Sequence, residues 1–387
     1  MKIIPYGKQS IDERDIAEVV KVLRSDWITQ GPMVDKFEEA LAAYCGAKYA
    51  VAVSNGTAAL HLACLAAGLG KGDNVITTPI TFLATSNSIL YVGAKPVFAD
   101  VDYESVNLTA SSIEKRITTK TKAILLVHFA GLPCDMPKIY SIAKKNNLKV
   151  IEDACHALGS RYYSRKKWHN VGACAHSDMT VFSFHPVKHI TSGEGGAITT
   201  NDKKLYEKLK MFRSHGVVKT PQMGKSKGSW YYEMRELGFN YHITDFQCAL
   251  ALSQLKKINI FLARRHAIAS MYDKAFANVV GLETPKVPQD KKHAYHLYLL
   301  KIDFKSRGLT KKSFFGKLKA KGIRCQMHYI PIYRQPYYVN NLKTNSKRFL
   351  NSEKYYENAV SIPIYSRMTD GDVARVSREI ISVLNGK

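Results

Sequence analysis

Between about residues 49 and 200 the hydrophobic pattern alternates between short apolar runs and segments of helical period. Tyr49–Val53 is the first predicted strand, and Ser54-Asn55-Gly56-Thr57 is the turn that ends it. Ala58, Leu60, Leu62, Ala63 and Leu65 then mark a helix. Further strands are predicted at Asn74–Thr77, 96–100, 123–127, 149–152 and 179–184, with helices such as 111–117 and 137–145 between some of them. Alternation of this kind predicts an α/β fold with an open, mostly parallel sheet. Beyond residue 260 the pattern changes. A long helix is predicted at 261–277, followed by a connection over 281–289 that holds two prolines. After it come a strand at 296–302 and helices at 311–321 and Asp370–Leu384. This divides the chain into a large domain, 1–260, whose N-terminal segment can pack on its neighbour, and a smaller α+β domain, 261–387.

Composition narrows the class. A chain of 387 residues with 45% hydrophobic and 23% charged residues has enough apolar surface for two folded domains. The seven cysteines form no CxxC pair, which fits a reduced, cytoplasmic protein without a zinc knuckle. Neither a signal-peptide core nor a membrane-length apolar run is present, so no membrane association is expected. The formal net charge of +25 admits nucleic acid, a membrane surface or acidic small molecules as partners. Its lysines are scattered, from Lys120 and Lys122 to Lys311-Lys312, Lys317 and Lys319, without a basic arm. That argues against nucleic acid and for solvated faces, and a basic surface would also favour an anionic substrate such as a nucleoside diphosphate.

Three groups carry candidate chemistry. Lys188 stands between Phe182-Ser183-Phe184-His185-Pro186-Val187 and a glycine-rich turn, Gly193-Glu194-Gly195-Gly196. A desolvated lysine loses proton affinity and becomes a nucleophile towards aldehydes; the alternative is a lysine snorkelling from a strand end. Asp153 ends an apolar strand, where open α/β sheets bind ligands, and can keep a pyridine nitrogen protonated; the alternative is a helix N-cap. Glu152 points to the opposite face. Gly56 and Thr57 open a helix whose N–H groups can meet a phosphate, and Ser183 can add a hydroxyl. Together these make a pyridoxal-phosphate site. His185 and His189 have metal-like spacing, but Pro186 speaks against a helix there and no metal is assigned. His293 and His296 read as residues at the start of a small-domain strand.

In order and spacing these motifs resemble the DegT/DnrJ/EryC1/StrS family of sugar aminotransferases. The resemblance runs from Trp27-Ile28-Thr29-Gln30-Gly31-Pro32 through Ser54-Asn55-Gly56-Thr57 and Thr78-Pro79-Ile80-Thr81-Phe82. It continues through Glu152-Asp153-Ala154, Lys188 with its glycine turn, and Arg213-Ser214-His215-Gly216. Gly238-Phe239-Asn240-Tyr241 and His328-Tyr329-Ile330-Pro331 close it. It implies an aspartate-aminotransferase-like architecture, the PLP fold type I, and pyridoxal 5'-phosphate as cofactor. Lys188 would form the internal aldimine and move the proton, and Asp153 would pair with the pyridinium nitrogen. His156 would face the ring hydroxyl, where many relatives have glutamine. Gly56, Thr57 and Ser183 would hold the phosphate, and Phe82 would cover the ring. Asn240 would reach the cofactor of a neighbouring subunit, so a homodimer is implied. A branch that dehydrates sugars has histidine at the lysine position; Lys188 favours transamination.

The stretches around Phe184-His185, Cys155-His156 and Gln326-Met327-His328-Tyr329 resemble the pseudaminic-acid branch of the family. That resemblance implies amination at C4 of UDP-2-acetamido-2,6-dideoxy-β-L-arabino-hex-4-ulose, with glutamate as donor. Tyr6, Asp26, Trp27, Ile28, Thr29, Gln326, Met327, His328 and Tyr329 are the candidate contacts to the sugar nucleotide, and Arg213 is the candidate for the donor's carboxylate. The rival readings are a keto-sugar of the bacillosamine or perosamine type and, in another class, a non-catalytic basic binding or regulatory protein.

Overall fold

The computed structural model describes residues 2–344 and 346–386. Its central sheet is built from β1 (Tyr49–Val53), β2 (Asn74–Thr77), β3 (Lys95–Phe98), β4 (Thr121–Val127) and β5 (Lys149–Asp153). A hairpin, β6 (Arg161–Ser164) and β7 (Lys167–Asn170), lies outside the sheet, and β8 (Met179–Ser183) and β9 (Gly196–Thr200) complete it. The spatial order is β1-β9-β8-β5-β4-β2-β3. Only β9 runs against the others, antiparallel to both β1 and β8. The other strands therefore direct their carboxyl ends to one edge, where such sheets place their ligands.

The strands are apolar on both faces because both are covered. In β1, Val51 and Val53 pack beneath helix α3 (Gly56–Ala66), whereas Ala50 and Ala52 face Phe37 and Leu41 of helix α2 (Pro32–Cys45). The same parity in β5 sends Ile151 to the α3 side and Val150 to the α2 side. The sequence pattern missed β9, α2 and helix α1 (Glu13–Leu23). α1 starts with a capping box on Asp12 and docks through buried Asp15, which accepts hydrogen bonds from Ser253, Gln254 and Lys257.

A second core forms around a three-stranded antiparallel sheet of Leu282–Glu283, Tyr298–Ile302 and Ala359–Ile362. The two-residue strand at Leu282 lies inside the stretch expected to be only a connection. Helix Ile258–Phe276 feeds both cores: Ile258 and Phe261 join the large one, Ile268, Tyr272 and Phe276 the small one. The chain thus crosses between cores inside an unbroken helix. The N-terminal segment also joins the small core, since Ile4 is fully buried and bridges Ile323 in parallel. Tyr6 follows, its carbonyl accepting from Ile364 N–H at 3.2 Å. No helix among the described residues is long and apolar enough to cross a membrane.

Candidate active site

A cavity of about 870 Å3 opens at the carboxyl edge of the sheet, between the two cores. Its floor is set by three strand ends. β1 stops at Val53, and Asn55 caps α3 by accepting from Ala58 N–H at 2.8 Å. The leading N–H groups of that helix, on Gly56 and Thr57, precede its internal hydrogen bonding and are free to meet an anion. β8 ends at Ser183, directly opposite. A Cβ added to Gly56 would lie 2.9 Å from Ser183 Cβ, so glycine is what leaves this cradle open. Gly196 permits a similar approach, because a Cβ there would collide with the Asn55 carbonyl.

The third strand end is Asp153, on the α3 side and 5% exposed. Thr85 Oγ1 donates to its Oδ2 at 2.7 Å, and Cys155 N–H donates to Oδ1 at 3.1 Å. Thr85 lies in helix α4 (Leu83–Tyr91), and Thr81 stands behind it at 2.7 Å. Glu152 sits on the other face as its parity requires. There it accepts from Thr180 at 2.9 Å and from Ser177, and pairs with His128 at 2.6 Å. Cys134 N–H donates to His128 Nδ1, which leaves Nε2–H for Glu152.

Lys188 follows a turn closed by its own N–H on His185 O at 2.9 Å. Burial lowers its pKa, while Cys155 and Asp153 act in the opposite direction. Around it stand histidines held neutral. His156 and His189 lie well below the usual imidazole range, burial first and the Lys188 charge adding to it. His328 is pushed down to about 3 by burial and Lys188. His189 Nε2 is committed to the Ala294 carbonyl at 3.0 Å, and His328 Nδ1 to Ser361 Oγ at 2.8 Å. The arrangement offers one basic amine, one carboxylate fixed at both oxygens, and an anion cradle.

The cavity brings together Lys188, Asp153, Gly56, Thr57, Phe82, His156 and Ser183. Tyr6, Gln326, Met327, His328 and Tyr329 form the wall from the small-domain side. Tyr329 crosses to the large domain by a 3.2 Å hydrogen bond with His156 Nε2. Asp26, Trp27, Ile28, Thr29 and Asn240 do not line the cavity of the single chain. They are exposed, with Thr29 bridged to Thr244 and Asn240 to Ser214. Arg213 is turned away from the site. Its Nη1 pairs with Glu38 at 2.6 Å and donates to the Ala52 carbonyl, so it cannot serve a donor carboxylate here. The sequence reading also missed Thr85 and His296, which line the cavity. The four-residue spacing of Thr81 and Thr85 across a helix start was the available signal for the first.

The residues present fit pyridoxal phosphate, in a cradle that a Cβ at Gly56 would fill, beside a buried His156 whose Nδ1 lacks a partner. Fold and site define a PLP-dependent aminotransferase of fold type I that acts on sugars. Residues 9–381 match the DegT/DnrJ/EryC1/StrS aminotransferase family, and the chain belongs to it. It is 40% identical to the UDP-4-amino-4,6-dideoxy-N-acetyl-beta-L-altrosamine transaminase of Campylobacter jejuni, covering 99% of this chain and 98% of that one. Identity is also 40% to the spore coat polysaccharide biosynthesis protein SpsC of Bacillus subtilis, over 99% of this chain and 97% of the relative. Among solved structures, Helicobacter pylori PseC, an aminotransferase involved in the biosynthesis of pseudoaminic acid, superposes with a TM-score of 0.92 at 32% identity, with both chains fully covered.

Proposed function

We propose that this aminotransferase places an amino group on C4 of UDP-2-acetamido-2,6-dideoxy-β-L-arabino-hex-4-ulose, with glutamate as donor, in pseudaminic acid biosynthesis in the cytoplasm. The observation that carries this reading is the single cavity in which Lys188 and Asp153 face a wall of Tyr6, Gln326, His328 and Tyr329. The 40% identity to the altrosamine transaminase over nearly the whole chain supports the choice of sugar.

Pyridoxal phosphate, when bound, supplies an electron sink for charge that develops on the reacting carbon. Gly56 and Thr57 N–H groups and the Ser183 hydroxyl bind its phosphate. Asp153, restrained by Thr85, holds the proton on the pyridine nitrogen. His156 meets the ring hydroxyl, and Phe82 closes one face against water. Lys188 Nζ, its proton affinity reduced by burial, removes the proton from the donor's α-carbon and delivers one to C4 of the sugar. Tyr6 and Tyr329 offer flat apolar surfaces to the sugar or base, and His328 a hydrogen bond.

The working unit in this reading is a homodimer. Asp26, Trp27, Ile28, Thr29 and Asn240 are exposed on one chain and serve the site of its partner, Asn240 at the cofactor phosphate. The test is an assay of purified protein with pyridoxal phosphate, glutamate and the UDP-linked L-arabino ketosugar, beside ketosugars of the bacillosamine and perosamine types. Amination of the first at the highest kcat/KM is expected. Preference for either of the others replaces the sugar while keeping the chemistry.

A further inference from the structure

Helix Leu350–Asn358 of the small domain begins without a cap of its own. Its N-cap position is Phe349, whose side chain makes no capping hydrogen bond. The carboxylate that serves instead is Asp100, 251 residues away in sequence and just beyond β3 of the large domain. Asn351 N–H donates to its Oδ2 at 3.0 Å, and the N–H and hydroxyl of Ser352 both donate to its Oδ1. Asn351 Nδ2 also donates to the Val101 carbonyl at 2.8 Å. A carboxylate on the leading N–H groups satisfies donors that the helix itself cannot, and it suits the helix dipole.

The same helix grips the cavity wall. Tyr355, fully buried, donates its hydroxyl to the His328 carbonyl. Glu353, in the first turn, accepts from Tyr333 OH at 2.7 Å and from the Arg334 guanidinium. The wall segment is also fixed at both ends. Gln326 pairs with Ser361 through both backbone groups, and Ile332 N–H donates to the Pro79 carbonyl. Between those ends the side chains of His328 and Tyr329 reach Ser361 and His156, while Tyr355 holds the backbone. Met327 and Tyr329 pack on an apolar cluster that Val101 and Tyr355 share across the two domains.

We propose that Asp100 is a positioning residue for the sugar nucleotide, acting through helix Leu350–Asn358 on the wall at 326–329. This rests on the reading that the wall contacts the sugar nucleotide. Asp100 itself does not line the cavity. Without it the first helical turn loosens, and Glu353 and Tyr355 lose their fixed places. The His328–Tyr329 backbone is then no longer held at one distance from Lys188. The cofactor floor, built from other strand ends, is untouched.

The experiment compares the steady-state KM for the sugar with the rate at which glutamate bleaches the cofactor band. The proteins are wild type, Asp100→Ala, Asp100→Asn, Tyr355→Phe, the Asp100→Ala/Tyr355→Phe double variant and Gln326→Ala. The sugar is whichever of the ketosugars above the wild type aminates best. Asp100→Ala is expected to raise the sugar KM about tenfold and to leave the bleaching rate within about twofold. Asp100→Asn, which keeps one acceptor, recovers part of the loss. Tyr355→Phe gives the same pattern, and the double variant is no worse than the more impaired single one, because both changes break one chain of contacts. Where Asp100→Ala does not fold, Ser352→Ala removes one of its bonds and carries the same expectation at smaller size. An unchanged sugar KM in Asp100→Ala, beside a raised one in Gln326→Ala, overturns the proposal and leaves the wall reading standing. Equal slowing of both half-reactions, the mark of a merely structural role, overturns it too. An unchanged sugar KM in Gln326→Ala overturns the wall reading and the proposal with it.

Discussion

Thr85 donates its hydroxyl to Oδ2 of Asp153 across 2.7 Å, with both side chains buried. The Cys155 N–H takes Oδ1, so the carboxylate is held from a helix on one side and from its own strand end on the other. An acid restrained at both oxygens keeps a fixed direction towards the cavity. The restraint comes from α4, which also packs on α3, β2 and β3.

Replacing Thr85 by valine removes one restraint and leaves volume nearly unchanged. The expected result is a loss of about tenfold in the rate of the glutamate half-reaction, as for partners that orient a site group. The stability cost is about 1 kcal/mol. Thr85→Ser recovers most of the rate. Stopped-flow bleaching of the cofactor band by glutamate, beside urea unfolding, checks both numbers.

Gly56→Ala pushes a methyl against Ser183 and into the phosphate cradle. Stability falls by about 1–3 kcal/mol, and cofactor affinity falls with it. Gly316, inside helix Lys311–Ala320, has nothing within 4 Å of the same added atom. Gly316→Ala is expected to stabilise the protein by about 0.5–1 kcal/mol without touching cofactor binding. Thermal melts with and without pyridoxal phosphate separate the two.

His293 is buried, accepts from Tyr295 N–H at 2.7 Å through Nδ1, and has its pKa pushed down to about 3 by burial. Above about pH 6.5 the folded and unfolded states are both neutral at this group. As pH falls below that, the unfolded chain takes up a proton that the folded one refuses, so stability declines until the folded pKa is reached. The slope for one such group is about 1.4 kcal/mol per pH unit. Asparagine at 293 can keep the acceptor and does not titrate. Between pH 7 and pH 5, His293→Asn should therefore lose about 2 kcal/mol less than wild type in urea unfolding. Equal losses in the two proteins would sink the idea.

Arg213→Met leaves Glu38 without its cation in the α2 contact. Destabilisation of about 3 kcal/mol is expected at pH 8. Burial already raises the pKa of Glu38 while Arg213 lowers it, so removing Arg213 raises it further. The folded variant then binds a proton more readily than the unfolded chain, and its deficit is smaller at pH 5. The glutamate KM of the folded fraction stays the same, because Arg213 does not line the cavity.

Strand β1 was legible because burial on both faces turned it into an unbroken apolar run, and β2 and β5 through the Val-Ile pairs at their centres. Lys188, Asp153 and the Gly56-Thr57 turn were legible because each sits where a strand ends. β9 was not. Gly196–Thr200 is short and begins in a glycine turn, and its antiparallel pairing with β1 and β8 is a long-range choice that local pattern does not encode. Arg213 was misjudged for a related reason: a motif places an arginine in sequence, but its partner Glu38 is supplied by a distant helix. Residues 26–29 and Asn240 carry recognisable motifs, yet the single chain leaves them outside the cavity.

The pairing of Ile4 with Ile323 also bears on how the molecule is made. Ile4 leaves the ribosome long before Ile323 and the small-core helices that bury it. Ile4 and Tyr6 therefore meet their partners, Ile323 and Ile364, only after β1 to β9 have been synthesised. Contacts so far apart in sequence form late and slowly. The wall of residues 326–329 is accordingly finished after the floor of strand ends, and a nascent chain can form the gap between Gly56 and Ser183 before the wall that faces it exists.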